Sequence, residues 1–203
     1  GVVDLLEPLY WESNREVLKS SYVPADETTI KVQDNETPGK CHTGYLWGFL
    51  GPPNKVWFHY APSRAGTVPK EILKDFKGTI QTDAYAGYNK VLIPGQCVRI
   101  ACLAHVRRKF IEAQSSAGKE SGKVLALIAE LYRVEKSSRS PETRLEIRQT
   151  KSKRVMNNLM EYLHALQGCA LPQSELAKAI RYALDQETEI RRILEGVVSE
   201  NGK

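Results

Sequence analysis

The chain has 203 residues, of which 41% are hydrophobic and 26% charged, enough for one large domain or a modest domain with a second lobe. No apolar segment approaches the roughly 18 to 20 residues that a membrane span needs, which predicts no contact with a membrane. Four cysteines are too few for a disulfide scaffold and favour a cytoplasmic protein. Residues 1–104 carry 11 Lys+Arg and 11 Asp+Glu, so the net charge of +5 belongs entirely to residues 105–203. This excess is compatible with a polyanionic partner, but charge alone slightly favours an ordinary solvated helical surface.

The first half is predicted to be α/β. A helix over residues 3–19 precedes three strands, a short helix and two further strands, at 21–33, 43–51, 55–61, 68–76, 78–82 and 97–104. Composition predicts turns at 34–40 and 52–54.

The second half shows no strand pattern. Helices are predicted at 105–117, 121–137, 141–166, 173–185 and 187–195. We therefore expect a core over residues 1–104 and an all-helical region over residues 105–203.

Two aspartates of the first half are candidates for a metal site. Asp26 alternates in step with Thr28, Ile30 and Val32, which predicts that it lies on the apolar face of the strand. A carboxylate there is energetically costly unless it is paired, protonated or bound to a metal. Asp83 ends the fourth predicted strand, and two carboxylates on neighbouring strands repel unless a divalent cation lies between them. Oxygen ligands favour Mg²⁺ or Mn²⁺, as two-metal phosphoryl transfer requires. The alternative for Asp26 is a strand-end residue that caps a turn or pairs with a lysine.

A dense cationic group stands where the fifth strand gives way to a helix. It contains His105, Arg107, Arg108 and Lys109 and is suited to phosphate binding or to neutralising carboxylates. Arg64, after the third strand, is a further candidate for phosphate contacts. Structural salt bridges are the alternative for these side chains.

Two other possible sites are less specific. Cys97, Cys102 and His105 have a spacing that suggests zinc, but a fourth ligand is missing, which favours free cysteines. Glu112 follows the fifth strand and is interpreted as a surface acid on a basic helix.

Ordered motifs across nearly the whole chain resemble the transposases of the insertion sequence 66 family, which belong to the DDE group. The matching stretches are DLLEPLY, ADETTIKV, GYLWGF, VWFHYAPSR, TDAYAGYN, CLAHVRRKFIEA, LIAELYRVE and SELAKAIRYAL.

The resemblance implies a ribonuclease-H-like mixed sheet with flanking helices that cuts and joins DNA with Mg²⁺ or Mn²⁺. It implies that Asp26 and Asp83 are the first two catalytic, metal-binding acids and that the helical half is an insertion before the last catalytic helix. The implied partners are transposon-end and target DNA, with a homodimer on DNA in the cytoplasm or nucleoid.

The chain departs from the family pattern at three places. Ala84 replaces a glycine after the second acid, and Leu103 replaces a tryptophan. The final acid of the family lies in an Asn-Asn-x-x-Glu-Arg motif that these residues do not contain, since Glu161 falls within a predicted helix.

We therefore expect a transposase fragment without its third acid, inactive or very slow alone, unless Glu112 substitutes. The alternatives are a non-catalytic DNA-binding or protein-interaction remnant that uses the basic half, and a ribonuclease-H-type nuclease unrelated to transposition.

Overall fold

A computed structural model describes residues 1–34, 37, 39–51, 54–137 and 140–195. Contacts divide the described chain into two compact units, Gly1–Arg99 and a second that begins at Ile100. The sequence placed its boundary at residue 104, and the roles assigned to the two parts remain predictions. No helix in the described part of the chain is both long and apolar enough to cross a bilayer.

A five-stranded mixed sheet forms, which confirms the predicted α/β class with flanking helices. Its strands are β1 (Tyr22–Gln33), β2 (Cys41–Gly51), β3 (Lys55–Ala61), β4 (Gly78–Thr82) and β5 (Cys97–Ala101). The spatial order is β3-β2-β1-β4-β5. Strands β1, β2 and β3 pair antiparallel, whereas β4 lies parallel to β1. β1 is therefore the strand at which the sheet changes direction.

Two helices belong to the first unit, α1 (Val2–Leu18) and α2 (Thr67–Ile72). The core of this unit is aromatic, because alternate residues of β2 and β3 point inward: Trp47 and Phe49 are fully buried and Trp57 is 3% exposed. Phe49 pairs directly with Trp57 across the two strands. Such cross-strand aromatic pairs stabilise the sheet and fix its register.

The predicted parity of β1 is wrong at Asp26. Val23 and Ala25 are the buried residues of this strand, so Asp26 points to the other face and is exposed. The prediction took its parity from Ile30 and Val32, which are only half-buried, whereas the buried residues of β1 are at odd positions. The apolar pattern at Ile30 is therefore a poor guide to the core face.

The second unit is helical, as predicted. Its helices are α3 (Leu103–Glu112), α4 (Gly118–Lys136), α5 (Pro141–Ile147), α6 (Lys153–Gln167), α7 (Glu175–Leu184) and α8 (Glu187–Arg191). The one helix predicted over 141–166 is divided by a π-helical turn over Arg148–Ser152. β5 ends at Ala101, earlier than predicted, because α3 already begins at Leu103.

Parts of two predicted turns lie outside the described residues. These are positions 35, 36 and 38 of the 34–40 turn, and Pro52 and Pro53 of the 52–54 turn. Asn54 is described and has a φ of 60°, in the left-handed region that turns often require.

Candidate functional site

The two candidate metal ligands lie at the same level of the sheet. In the parallel pairing of β1 with β4, the last register pair is Pro24 opposite Gln81. Asp26 and Asp83 each stand two residues further on. Since β4 ends at Thr82 and β1 continues, both carboxylates are at the edge where the parallel pairing stops. The two aspartates thus have the same offset from the last register pair of the two neighbouring strands.

The backbone around Asp83 is held by several hydrogen bonds. Its Oδ1 accepts from the backbone N–H of Tyr85 at 2.9 Å, which closes the turn despite the alanine at position 84. Its carbonyl oxygen accepts from Thr82 Oγ1 at 2.9 Å and from Arg99 Nη1 at 2.8 Å. On the neighbouring strand, Asp26 Oδ1 accepts from the N–H of Glu27 at 3.0 Å. Both carboxylates are thus oriented by the local backbone.

Arg64 belongs to the same site. Its Nη2 lies 3.6 Å from Asp83 Oδ2, and its Nε donates to Glu27 Oε1 at 2.7 Å. The guanidinium carbon lies 4.1 Å from the centre of the Tyr85 ring, whose hydroxyl donates to the Arg64 carbonyl. Burial works to lower the pKa of Arg64, but the hydrogen bond and charge of Glu27, with Asp83, outweigh it and raise the pKa.

Glu27 is the residue of this site that the sequence reasoning missed. Its side chain is only 1% exposed, and Tyr88 donates its hydroxyl to Oε2 at 2.8 Å. Burial, followed by the charge of Glu27 and then of Asp83 and Asp26, raises the pKa of Tyr88, so all three carboxylates act on one phenol. The signal was available, because alternation from Val23 and Ala25 places residue 27 on the core face.

The other predicted phosphate contacts are in the second unit, on α3. Arg107 and Arg108 are exposed, whereas His105 is half-buried and hydrogen-bonds the Cys102 thiol. Glu112, at the end of α3, is exposed and forms an ion pair with Lys109 at 3.1 Å. The structure therefore brings Asp26, Asp83 and Arg64 together in one unit and places the remaining candidates in the other.

Comparison with known proteins identifies the family. The family model described as "Transposase IS66 family" matches residues 1–198. The chain belongs to the IS66 transposase family. The resemblance predicted from the ordered motifs is thereby confirmed.

The IS66 chain is also similar to curated proteins of Sinorhizobium fredii (strain NBRC 101917 / NGR234). It is 32% identical to "Uncharacterized protein y4jD", a match that covers 94% of the chain and 40% of that protein. It is 30% identical to "Uncharacterized protein y4hP", over 88% of the chain and 37% of that protein. The chain therefore spans about 40% of the length of these relatives. No solved structure matches it.

The acidic residues of this IS66 site fit a hard divalent cation. The charges of Asp26, Glu27 and Asp83 all act on Tyr88. Arg64 contacts Glu27 and Asp83, and Arg99 contacts the carbonyl oxygen of Asp83. Three carboxylates against these two guanidinium groups leave an excess of one negative charge. The two aspartates offer hard oxygen ligands, and Mg²⁺ is commonly held by one or two carboxylates together with water and substrate phosphates. Among the described residues, no group of three or more His, Cys, Asp or Glu side chains is arranged to hold a metal ion.

Proposed function

We propose that this IS66 chain is part of a DNA transposase in which Asp26 and Asp83 bind Mg²⁺ or Mn²⁺ for the cleavage and joining of DNA strands. The observation that carries the proposal is that Asp26 and Asp83 each follow the last register pair of β1 and β4 by two residues. The excess of carboxylate over guanidinium charge at the same place supports it.

Each residue of the site has a distinct role in this proposal. Asp26 and Asp83 hold the cation with oxygens whose orientation their backbone hydrogen bonds fix. Arg64, whose side chain is 42% exposed, donates N–H groups to a phosphate oxygen of the DNA. When bound, the divalent cation neutralises charge on the phosphodiester under attack.

We further propose a ribonuclease-H-like fold and a third acid supplied from outside the described residues. The mixed sheet, with its acids on β1 and just after β4, supports the fold assignment. Glu112 is paired with Lys109, and Glu161 is exposed on α6, so neither is a natural third ligand. We therefore expect this chain to bind metal more weakly than a whole transposase that contains it.

Metal binding tests the proposal on the chain itself. Mn²⁺ titrations followed by electron paramagnetic resonance should show one site whose affinity falls at least about tenfold in Asp26→Asn or Asp83→Asn, since each removes one of two carboxylate ligands. Asp75→Asn, at an exposed position, is the matched control and should bind as the wild type. Equal affinity in all variants would refute the site. In a full-length protein, Asp26→Ala should abolish Mg²⁺-dependent DNA cleavage.

The choice of nucleic acid separates the transposase from the unrelated nuclease. A transposase should act on duplex DNA that carries the element ends, and assembly of two copies on such DNA is expected. Preferential cleavage of an RNA–DNA hybrid would favour the nuclease.

A non-catalytic DNA-binding function of the second unit is the second candidate. The exposed Arg107 and Arg108, in the half of the chain that carries the whole positive excess, favour it. Affinity for duplex DNA should then fall steeply with salt, and Arg107→Gln with Arg108→Gln should reduce the salt slope by about 2. Absence of binding at low salt would refute this candidate.

A further inference from the structure

Glu27 is a buried carboxylate beside an exposed one. It follows Asp26 directly on β1, yet its side chain is 1% exposed because alternate residues of a strand point to opposite faces. A buried carboxylate is tolerated only when it is paired and hydrogen-bonded. The partners of Glu27 therefore indicate why it is retained.

Both oxygens of Glu27 have a partner. Oε1 accepts from Arg64 Nε at 2.7 Å and also forms an ion pair with Arg64 Nη2. Oε2 accepts from the hydroxyl of Tyr88, which is completely buried. These contacts connect the core of the first unit to Arg64, which Tyr85 holds from its other side through its ring.

Arg64 is a cation beside one of the two proposed metal ligands. Its Nη2 lies 3.6 Å from Asp83 Oδ2, a distance at which a positive charge opposes the binding of a second cation to the same carboxylate. The Nε and Nη2 of Arg64 are both directed at Glu27, so the guanidinium is balanced by a carboxylate other than Asp83.

We infer that Glu27 is a positioning residue: its carboxylate holds and neutralises Arg64, which leaves Asp83 available to a divalent cation. The inference rests on the proposed function, in which Asp26 and Asp83 bind that cation. Glu27 is not a metal ligand in this arrangement, since its oxygens are occupied by Arg64 and Tyr88. Its negative charge is what the site requires.

Mn²⁺ binding to the chain, measured by electron paramagnetic resonance, tests the inference through Glu27→Gln. The amide keeps the shape and part of the hydrogen bonding but loses the charge. Arg64 then turns to Asp83, and repulsion between its positive charge and the cation should lower Mn²⁺ affinity about tenfold. Adding Arg64→Gln to this variant removes the competing cation and should restore affinity to within about twofold of the wild type.

The alternatives give different results. If Glu27 were itself a ligand, the double variant would bind as weakly as Glu27→Gln. If Glu27 served only the fold, Glu27→Gln would unfold at lower temperature yet bind Mn²⁺ like the wild type. Should Glu27→Gln not fold, Glu27→Asp keeps the charge and should bind within about twofold of the wild type. Weak binding by folded Glu27→Asp, or failure of both variants to fold, would overturn the inference.

Failure of the inference can be distinguished from failure of the proposed function. If Asp26→Asn binds Mn²⁺ like the wild type, the metal site itself is wrong. If Asp26→Asn loses binding while Glu27→Gln retains it, only the positioning role of Glu27 is wrong.

Discussion

Gly66→Ala should destabilise the first unit through a backbone clash near the site. Gly66 caps α2 and follows Arg64 by two residues, and a Cβ built on it would lie 2.8 Å from the Gly87 Cα and 2.9 Å from the Gly87 carbonyl oxygen. Ordinary contact begins near 3.4 Å, so one backbone segment must move by about 0.6 Å. Overpacking of this kind costs roughly 1 to 3 kcal/mol, and 1 kcal/mol lowers the Tm of a unit of this size by about 4 to 8 °C.

Tryptophan fluorescence is the natural assay, because all three tryptophans belong to the first unit. Thermal unfolding of Gly66→Ala should show a Tm at least about 4 °C below the wild type. The control is Gly122→Ala on α4 of the second unit, where a Cβ meets no atom within 4 Å and alanine favours the helix. It should not lower the tryptophan transition. A Tm for Gly66→Ala at or above that of the wild type would refute the packing argument.

Further predictions concern the second unit and the cysteines. Arg148 donates from Nε and Nη2 to the two carboxylate oxygens of Glu135, each at 2.8 Å. A lysine cannot form this two-bond contact, so Arg148→Lys should lower the free energy of unfolding by about 1 kcal/mol in chemical denaturation followed by circular dichroism. An unchanged free energy would show that the ion pair contributes nothing to stability. Ser174 is the N-cap of α7, and its hydroxyl accepts a hydrogen bond from the N–H of Ala177 at 3.1 Å. Ser174→Ala should therefore also lower the free energy of unfolding by about 1 kcal/mol in that assay. An unchanged free energy would show that the cap does not stabilise the protein. Burial raises the pKa of Cys97 to about 11, whereas Cys102 has a lowered pKa because hydrogen bonds, chiefly from the His105 side chain, outweigh burial. With the two exposed cysteines replaced by serine, iodoacetamide at pH 8 should modify Cys102 before Cys97 in peptide mass spectra, and the reverse order would contradict the prediction.

The sheet was largely predictable because its strands carry strong local signals. β3 and β4 have the predicted bounds. β3 is rich in aromatic and β-branched residues from Val56 to Tyr60, and β4 is a short segment rich in β-branched residues that begins at a glycine. The helices α3, α4, α6 and α7 were recognisable for the same reason, because each buries one apolar stripe in its own unit.

The features that were missed depend on contacts distant in sequence. The core face of β1 is the one that buries Val23, Ala25 and the side chain of Glu27 against distant segments, whereas local periodicity favoured the face of Ile30. The partners of Glu27 come from residues 37 and 61 positions further along the chain. The π-helical turn over Arg148–Ser152 interrupts a sequence whose helical pattern is continuous, so no local signal marked it.

The location of the candidate site follows from the topology of the sheet. β1 is antiparallel to β2 on one side and parallel to β4 on the other, so it is where the sheet changes direction. The strand order also reverses here, since the chain continues from β1 to β2 on one side and from β4 to β5 on the other. In open parallel sheets, ligands bind beyond the carboxyl ends of the strands at points where the strand order reverses. Asp26 lies on β1 just past its pairing with β4, and Asp83 follows the carboxyl end of β4. The loop after β3 adds Arg64, which lies 3.6 Å from Asp83, so the proposed site draws on three segments that are distant in sequence.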